Sequence, residues 1–184
     1  MRVLIACEFS GTVRDAFIEK GHTDTWSCDL LDTEGKYQLN HYKGDVKDIL
    51  HDGWDLMIAH PPCTHLAVSG ARYFKDKKEL QEEALEFVRV LMNAPIEKIC
   101  VENPVSVIST KIRKPDQYIQ PWQFGHGETK KTGLWLKNLP LLKPTEIVEG
   151  RDGKILSYSP SPDRWKKRSK TYEGIAKAMA DQWG

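Results

Sequence analysis

An α/β fold, with a mostly parallel sheet and helices on both faces, is what this sequence predicts. Three observations carry that expectation. Short apolar runs of strand length alternate with helical patterns, the runs are separated by turn residues, and residues able to do chemistry fall at the ends of the runs.

Val3 to Ala6 is a fully apolar run ending at Cys7. Glu8-Phe9-Ser10-Gly11 follows, and then a helical pattern through Val13, Ala16 and Phe17 that stops at Gly21, which reads as strand, turn and helix. A second strand is expected over Thr23 to Cys28, where Thr25 and Trp26 suit a pleated surface, with Asp29 at its end. Residues 42–50 read as a short extended piece carrying Asp45. Asp55 to Ala59 is the next strand. Lys77 to Asn93 places Leu80, Ala84, Phe87, Val88 and Leu91 on one face of an amphipathic helix with acidic residues early in it. Pro95 marks its end, and Lys98 to Val101 leads as a strand into Glu102-Asn103-Pro104, expected to form a turn. Beyond residue 104, prolines at 115, 121, 140, 144, 160 and 162 break the chain into short pieces. There Leu134 to Leu136 is a candidate strand for an antiparallel edge, Glu146 to Tyr158 a hairpin around Arg151-Asp152-Gly153, and Thr171 to Trp183 a closing helix.

A chain of 184 residues, 40% hydrophobic, suits one domain and is too short for two of ordinary size. Its net charge of +1 gives no whole-molecule attraction for a polyanion, so any nucleic-acid contact must come from local patches. The four cysteines lack metal-binding spacing and read as reduced thiols. The opening MRVLIACEF is too short in its apolar run for a signal-peptide core, and no run approaches a membrane span, so a soluble cytoplasmic protein is expected.

The most informative segment is DLMIAHPPCTHL, residues 55–66. Pro61 and Pro62 cannot donate to a sheet ladder, so Cys63 sits just past a strand end with little backbone freedom. A lone cysteine is more often a small buried hydrophobe. In an open α/β sheet, however, ligands bind at the carboxyl ends of the strands, which is where this thiol falls. Gly11, after the first strand, reads as a cofactor turn or merely a tight one, Asp29, closing the second, as a ribose clamp or a solvated turn residue, and Glu102, after the fifth, as a turn acid or a carboxylate facing the same crevice as Cys63. A thiolate with a nearby carboxylic acid suits attack on an electron-poor heteroaromatic ring, whose nitrogen is protonated as the sulfur adds.

In FSGTVRDAFIEKGH, SCDL, GDVKDI, DLMIAHPPCTHLAVSG and VENP, in that order and at similar spacing, the chain resembles the C5-cytosine DNA methyltransferases. The resemblance covers about the first 105 residues, with Pro-Pro-Cys and Glu-Asn its specific parts. It implies a Rossmann-like fold that uses S-adenosylmethionine, with residues 1–105 as cofactor and catalytic core and 106–184 as a shortened C-terminal part. Phe9, Ser10 and Gly11 would lie against the cofactor with Pro61, Asp29 would hold its ribose, and Asp45 with Val46 would flank the adenine. Cys63 would attack C6 of cytosine in DNA, and Glu102 would contact N3 and the exocyclic amine. Family members take the target base out of the duplex. The last helix is similar to the family's closing motif, and compact chains of this kind look like small bacteriophage proteins.

The chain departs from the family pattern in four places. Thr12-Val13 replaces a second glycine, Thr64 replaces the usual Gln, no target-recognition domain fits in the chain, and Gln-x-Arg-x-Arg is absent. Lys130 or Lys131 is the nearest substitute for its cation. Recognition of a DNA sequence then falls to loops, a dimer partner or nothing. The run Arg164, Lys166, Lys167, Arg168 and Lys170 around Trp165 reads first as a solvated loop and second as a phosphate contact. His60, His65 and His126 match no zinc spacing, and no metal is expected. Two other readings stand beside methylation at C5. One is amino-methylation, which a cysteine in place of the aromatic after Pro-Pro disfavours; the other is a nucleotide- or DNA-binding module without catalysis. For catalysis at C5, the Cys63 pKa should be lowered once substrate and cofactor are bound.

Overall fold

The computed structural model describes residues 1–69, 77–153 and 162–184. Seven strands form one sheet in the order β3-β2-β1-β4-β5-β7-β6. β1 (Val3–Ala6), β2 (Thr25–Asp29), β3 (His41–Lys43), β4 (Leu56–Ala59) and β5 (Lys98–Pro104) run parallel to one another. β7 (Thr132–Lys137) lies antiparallel between β5 and β6 (Gln117–Ile119). The architecture is α/β with a mostly parallel sheet, compatible with a Rossmann-like arrangement, and its strand order reverses between β1 and β4.

Alternation along the central strands explains why both faces are covered. Leu4, Ala6, Met57, Ala59, Ile99 and Val101 point to the face packed by α2 (Lys78–Met92) through Leu85, Val88 and Leu91. Val3, Ile5, Leu56, Ile58 and Cys100 point the other way, onto α1 (Thr12–Glu19) and the final helix (Glu173–Trp183). A strand buried on both faces reads as a continuous apolar run, as β1 and β4 do. Lys20 pairs with Asp181 where α1 meets the final helix.

Several boundaries and two assignments differ from expectation. Leu80 is exposed, and Leu85 takes the place on the buried face of α2. The extended piece at 42–50 is extended only over β3; Asp45 then caps a 3-10 turn, Val46–Asp48, by accepting from the Lys47 amide at 3.0 Å. β5 does not end in a turn at Val101 but continues through Glu102 and Asn103 to Pro104, because β7 supplies an antiparallel partner at Leu134, Gly133 and Thr132. The expected 146–158 hairpin shows no strand up to Gly153, only bridges from Glu146 to Phe124 and from Asp152 to Glu128; its second limb lies outside the described residues. The short α3 (Ile108–Lys111) was not expected. The basic run is not a loop: Arg164–Ser169 is helical and becomes α4, which makes the closing helix α5. No helix among the described residues is long and apolar enough to cross a membrane.

Candidate active site

Parallel strands share one carboxyl edge, so the residues after β1, β2, β3 and β4 and those late in β5 gather there. The backbone holds the Pro-Pro-Cys segment from two sides. The His60 amide donates to the Ala6 carbonyl at 2.9 Å, and the buried Asn103 donates its side-chain N–H to the Pro61 carbonyl at 2.9 Å. The Cys63 carbonyl then accepts from the Leu66 and Ala67 amides, closing a turn that presents the thiol.

A cavity of about 580 Å³ opens at this edge, lined by His60, Pro61, Cys63, Glu102, Lys130 and Arg168 among others. Trp165 of α4 stands at its side, half exposed, with its ring centroid 5.9 Å from Phe9. Of the two candidate lysines the structure brings Lys130 to the cavity, its Nζ donating to the Arg168 carbonyl at 2.9 Å. Lys131 lies instead over the Tyr118 ring, 4.4 Å from its centroid, and is not in the lining.

Glu102 and His60 are hydrogen-bonded in the cavity wall: His60 Nδ1 stands 2.6 Å from Glu102 Oε2. Both side chains are buried, at 9% and 12% exposure. Burial by itself pushes the Glu102 pKa up, yet the hydrogen bond and charge of His60, with the charge of Lys130, bring it below the ordinary carboxylate value. Burial likewise disfavours a charged His60, and Glu102 and Glu8 outweigh it, so its pKa is raised. Cys63 is pushed up by burial and by Glu102, against the pull of Lys130 and Arg168. The thiol of the free protein is therefore mostly protonated, and the lowering expected with ligands bound would have to come from them.

The edge over β1, β2 and β3 is built differently. Gly11 has φ +72°, and a Cβ there would meet Arg14 Nη2 at 2.5 Å and Gly35 Cα at 2.7 Å. Glycine is thus required by the turn and by the close approach of the 33–35 loop, whose Glu34 amide donates to the Phe9 carbonyl at 2.8 Å. Arg14, wholly buried, donates to Asp15, Ser27 and Thr33. Ser10 caps the turn locally, accepting from the Thr12 amide at 3.4 Å and the Thr12 hydroxyl at 3.1 Å. Asp29, at the end of β2, accepts from the Leu31 amide at 2.9 Å, and burial raises its pKa. Asp45 pairs with Lys47 at 3.2 Å beside the buried Val46. For an adenosine-bearing cofactor the half-buried Asp29 carboxylate fits a ribose diol. Gly11 faces the chain's own Arg14 and Gly35.

The three histidines are used separately. His60 pairs with Glu102, His65 lies on the cavity wall, and His126 Nε2 accepts from the Gly174 amide at 2.9 Å beside the Tyr172 ring. Among the described residues no group of three or more His, Cys, Asp or Glu side chains could hold a metal ion.

Sequence reading missed two residues at this site. His60 carries no signal alone, since its partner comes from a strand 42 positions away. Glu8 is buried and accepts from the Val13 and Arg14 amides at 2.7 and 3.3 Å, capping α1 from outside the expected motif. An acid three to five residues ahead of a helix start was the available sign. No protein-family model matches the chain, and no curated protein matches it.

Proposed function

We propose that this protein transfers a methyl group from S-adenosylmethionine to C5 of cytosine in DNA, with Cys63 as nucleophile, in a Rossmann-like methyltransferase fold. The observation that carries this reading is convergence. Cys63, Glu102 and Lys130 come from three separate segments and line one cavity. That cavity lies at the carboxyl edge of β4 and β5, beside the reversal of strand order where open α/β sheets bind ligands.

The chemistry asks each residue for one task. Cys63 gives up its proton to water and its sulfur bonds to C6 of the ring, which sends electron density toward C5. Lys130 and Arg168 favour the thiolate and the charge that builds on the ring. The His60–Glu102 side of the cavity meets N3 and the exocyclic amine. Asp29 would hold the ribose hydroxyls of the cofactor, with Phe9, Ser10, Pro61, Asp45 and Val46 around it, and the cofactor when bound supplies an electrophilic methyl group. Once C5, now carrying the methyl group, has lost its proton to water, the C6–S bond breaks, the ring becomes aromatic again and the thiolate is restored. The basic α4, with Trp165 at the cavity mouth, supplies the local cationic patch that a net charge of +1 otherwise denies.

An oligonucleotide carrying 5-fluorocytosine tests the nucleophile, because fluorine cannot leave C5 as a proton would and the C6–S bond persists. With cofactor present, mass analysis of a digest should find the oligonucleotide on the peptide that contains Cys63, and nothing with Cys63→Ala. An adduct elsewhere, or none, would refute the assignment. A binding module without chemistry is the second reading, favoured by the closure of Gly11 against Arg14 and Gly35. Calorimetry showing no S-adenosylmethionine binding would select it.

A further inference from the structure

His60 occupies an unusual place between two buried carboxylates. Its Nδ1 faces Glu102 of β5 at 2.6 Å, and Glu8, from the turn between β1 and α1, is close enough for its charge to act on the ring. Its Nε2 is buried and has no hydrogen-bond partner among the described residues. The third charged group facing the pair is Lys130, ahead of β7, which opposes a proton on His60 and favours a carboxylate at Glu102. Glu8 is already engaged by the first amides of α1, so it acts on His60 through charge and leaves Glu102 as the hydrogen-bonded partner.

We propose that His60 is a positioning residue of the candidate active site: by donating Nδ1–H to Glu102 Oε2, it carries the pair's one proton and holds Glu102 as a carboxylate facing the cavity. A carboxylate there accepts a hydrogen bond and cannot donate one. It accepts from the exocyclic amine of cytosine, and the His60 proton, passed through it, is the one that N3 can receive. The proton is also conserved on the site. When the Cys63 sulfur bonds to C6 and N3 becomes basic, the pair gives its proton to N3, leaving neutral His60 and ionised Glu102; when the C6–S bond breaks, N3 returns it. This catalytic meaning rests on the reading of the reaction given above. The location of the proton does not.

The location is tested on the free protein, by following the ring nitrogens of His60 by NMR as pH is raised. The expected result is a doubly protonated ring that persists above the ordinary value of 6.5 in the wild type and is neutral there in Glu102→Gln. A wild-type ring already neutral at 6.5, or one unchanged by Glu102→Gln, would overturn the proposal. The second arm uses His60→Gln, which keeps an N–H donor and has no charge. Its single-turnover rate of adduct formation with the 5-fluorocytosine oligonucleotide should drop by about 10²-fold, with loss of the alkaline limb of the kcat profile and little change in cofactor KM. An unchanged rate and profile would overturn the proton-supplying role even where the titration behaves as expected. If no variant and no wild type transfers methyl to any DNA, the reaction assignment fails, and the titration still decides where the proton is.

Discussion

The edge over β4 and β5 and the edge over β1, β2 and β3 belong to the same row of strand ends, yet they use their polar residues in opposite ways. Over β4 and β5, Cys63, Glu102, Lys130 and His60 face a cavity of about 580 Å³, where His60 bonds Glu102 and Lys130 bonds the Arg168 carbonyl. Over β1 to β3, Glu8 caps α1, Asp45 caps the turn that follows it, and Gly11 packs against Arg14 and Gly35. The same position in a fold can thus line an open cavity or serve the chain's own backbone. What separates the two is whether a side chain's bonding capacity is consumed locally.

The largest effect should come from Cys63→Ala, which removes the bond to C6 and is expected to lower methyl transfer by about 10³-fold or more with no loss of fold. Steady-state rates beside a melting curve would show it, and a residual rate within tenfold of wild type would mean the β4 edge is not where the chemistry occurs. Next is Gly11→Ala. The positive φ and the close contacts with Arg14 and Gly35 should cost about 1–3 kcal/mol of folding stability, readable as a shift in denaturant midpoint. A neutral substitution there would mean that the 33–35 loop moves freely off the turn, and the contrast between the two edges would weaken.

These two residues also show what the sequence could reveal. The order of strands and helices was legible as far as residue 104 because β1 and β4 are buried on both faces and α2 has a clear apolar stripe. Cys63 was legible because prolines fix the end of β4, and Glu102 because the apolar run Ile99-Cys100-Val101 marks β5, although the strand runs on past it. The prolongation of β5 was not, because it depends on β7, whose pairing register is set some 30 residues later. The helical state of Arg164–Ser169 was hidden by charge, since a basic run reads as solvated until Trp165 is seen against Phe9. His60 was invisible for the reason given by its partner: a hydrogen bond from the residue after β4 to one inside β5 leaves no local pattern.

A smaller effect separates the lysines. Lys130→Ala should reduce transfer by about tenfold through loss of one nearby cation, while Lys131→Ala, whose ammonium lies over Tyr118, should stay within about twofold. Equal losses would erase the distinction drawn from the cavity wall. Asp29→Ala should weaken S-adenosylmethionine binding by about tenfold in calorimetry, the magnitude of a charged hydrogen-bond acceptor lost. Unchanged affinity would make the β2 edge wholly structural.

The smallest and most specific effect concerns pH. Glu102 is held below its ordinary 4.5 in the folded protein, so its contribution to stability is present above that value and is lost as pH falls through its lowered pKa. His60 is held above its ordinary 6.5, so its contribution is present below that value and is lost as pH rises through its raised pKa. The stability difference between wild type and His60→Gln should therefore be greatest between 4.5 and 6.5 and shrink on either side. A difference independent of pH would show that the pair contributes by packing alone.

The most direct test of the central claim is to incubate the protein with methyl-labelled S-adenosylmethionine and unmodified DNA, digest the DNA to nucleosides, and compare wild type with Cys63→Ala. Label in 5-methylcytosine that vanishes with Cys63→Ala is the expected result; label on an amino nitrogen, label that survives the substitution, or no label on any DNA would contradict it.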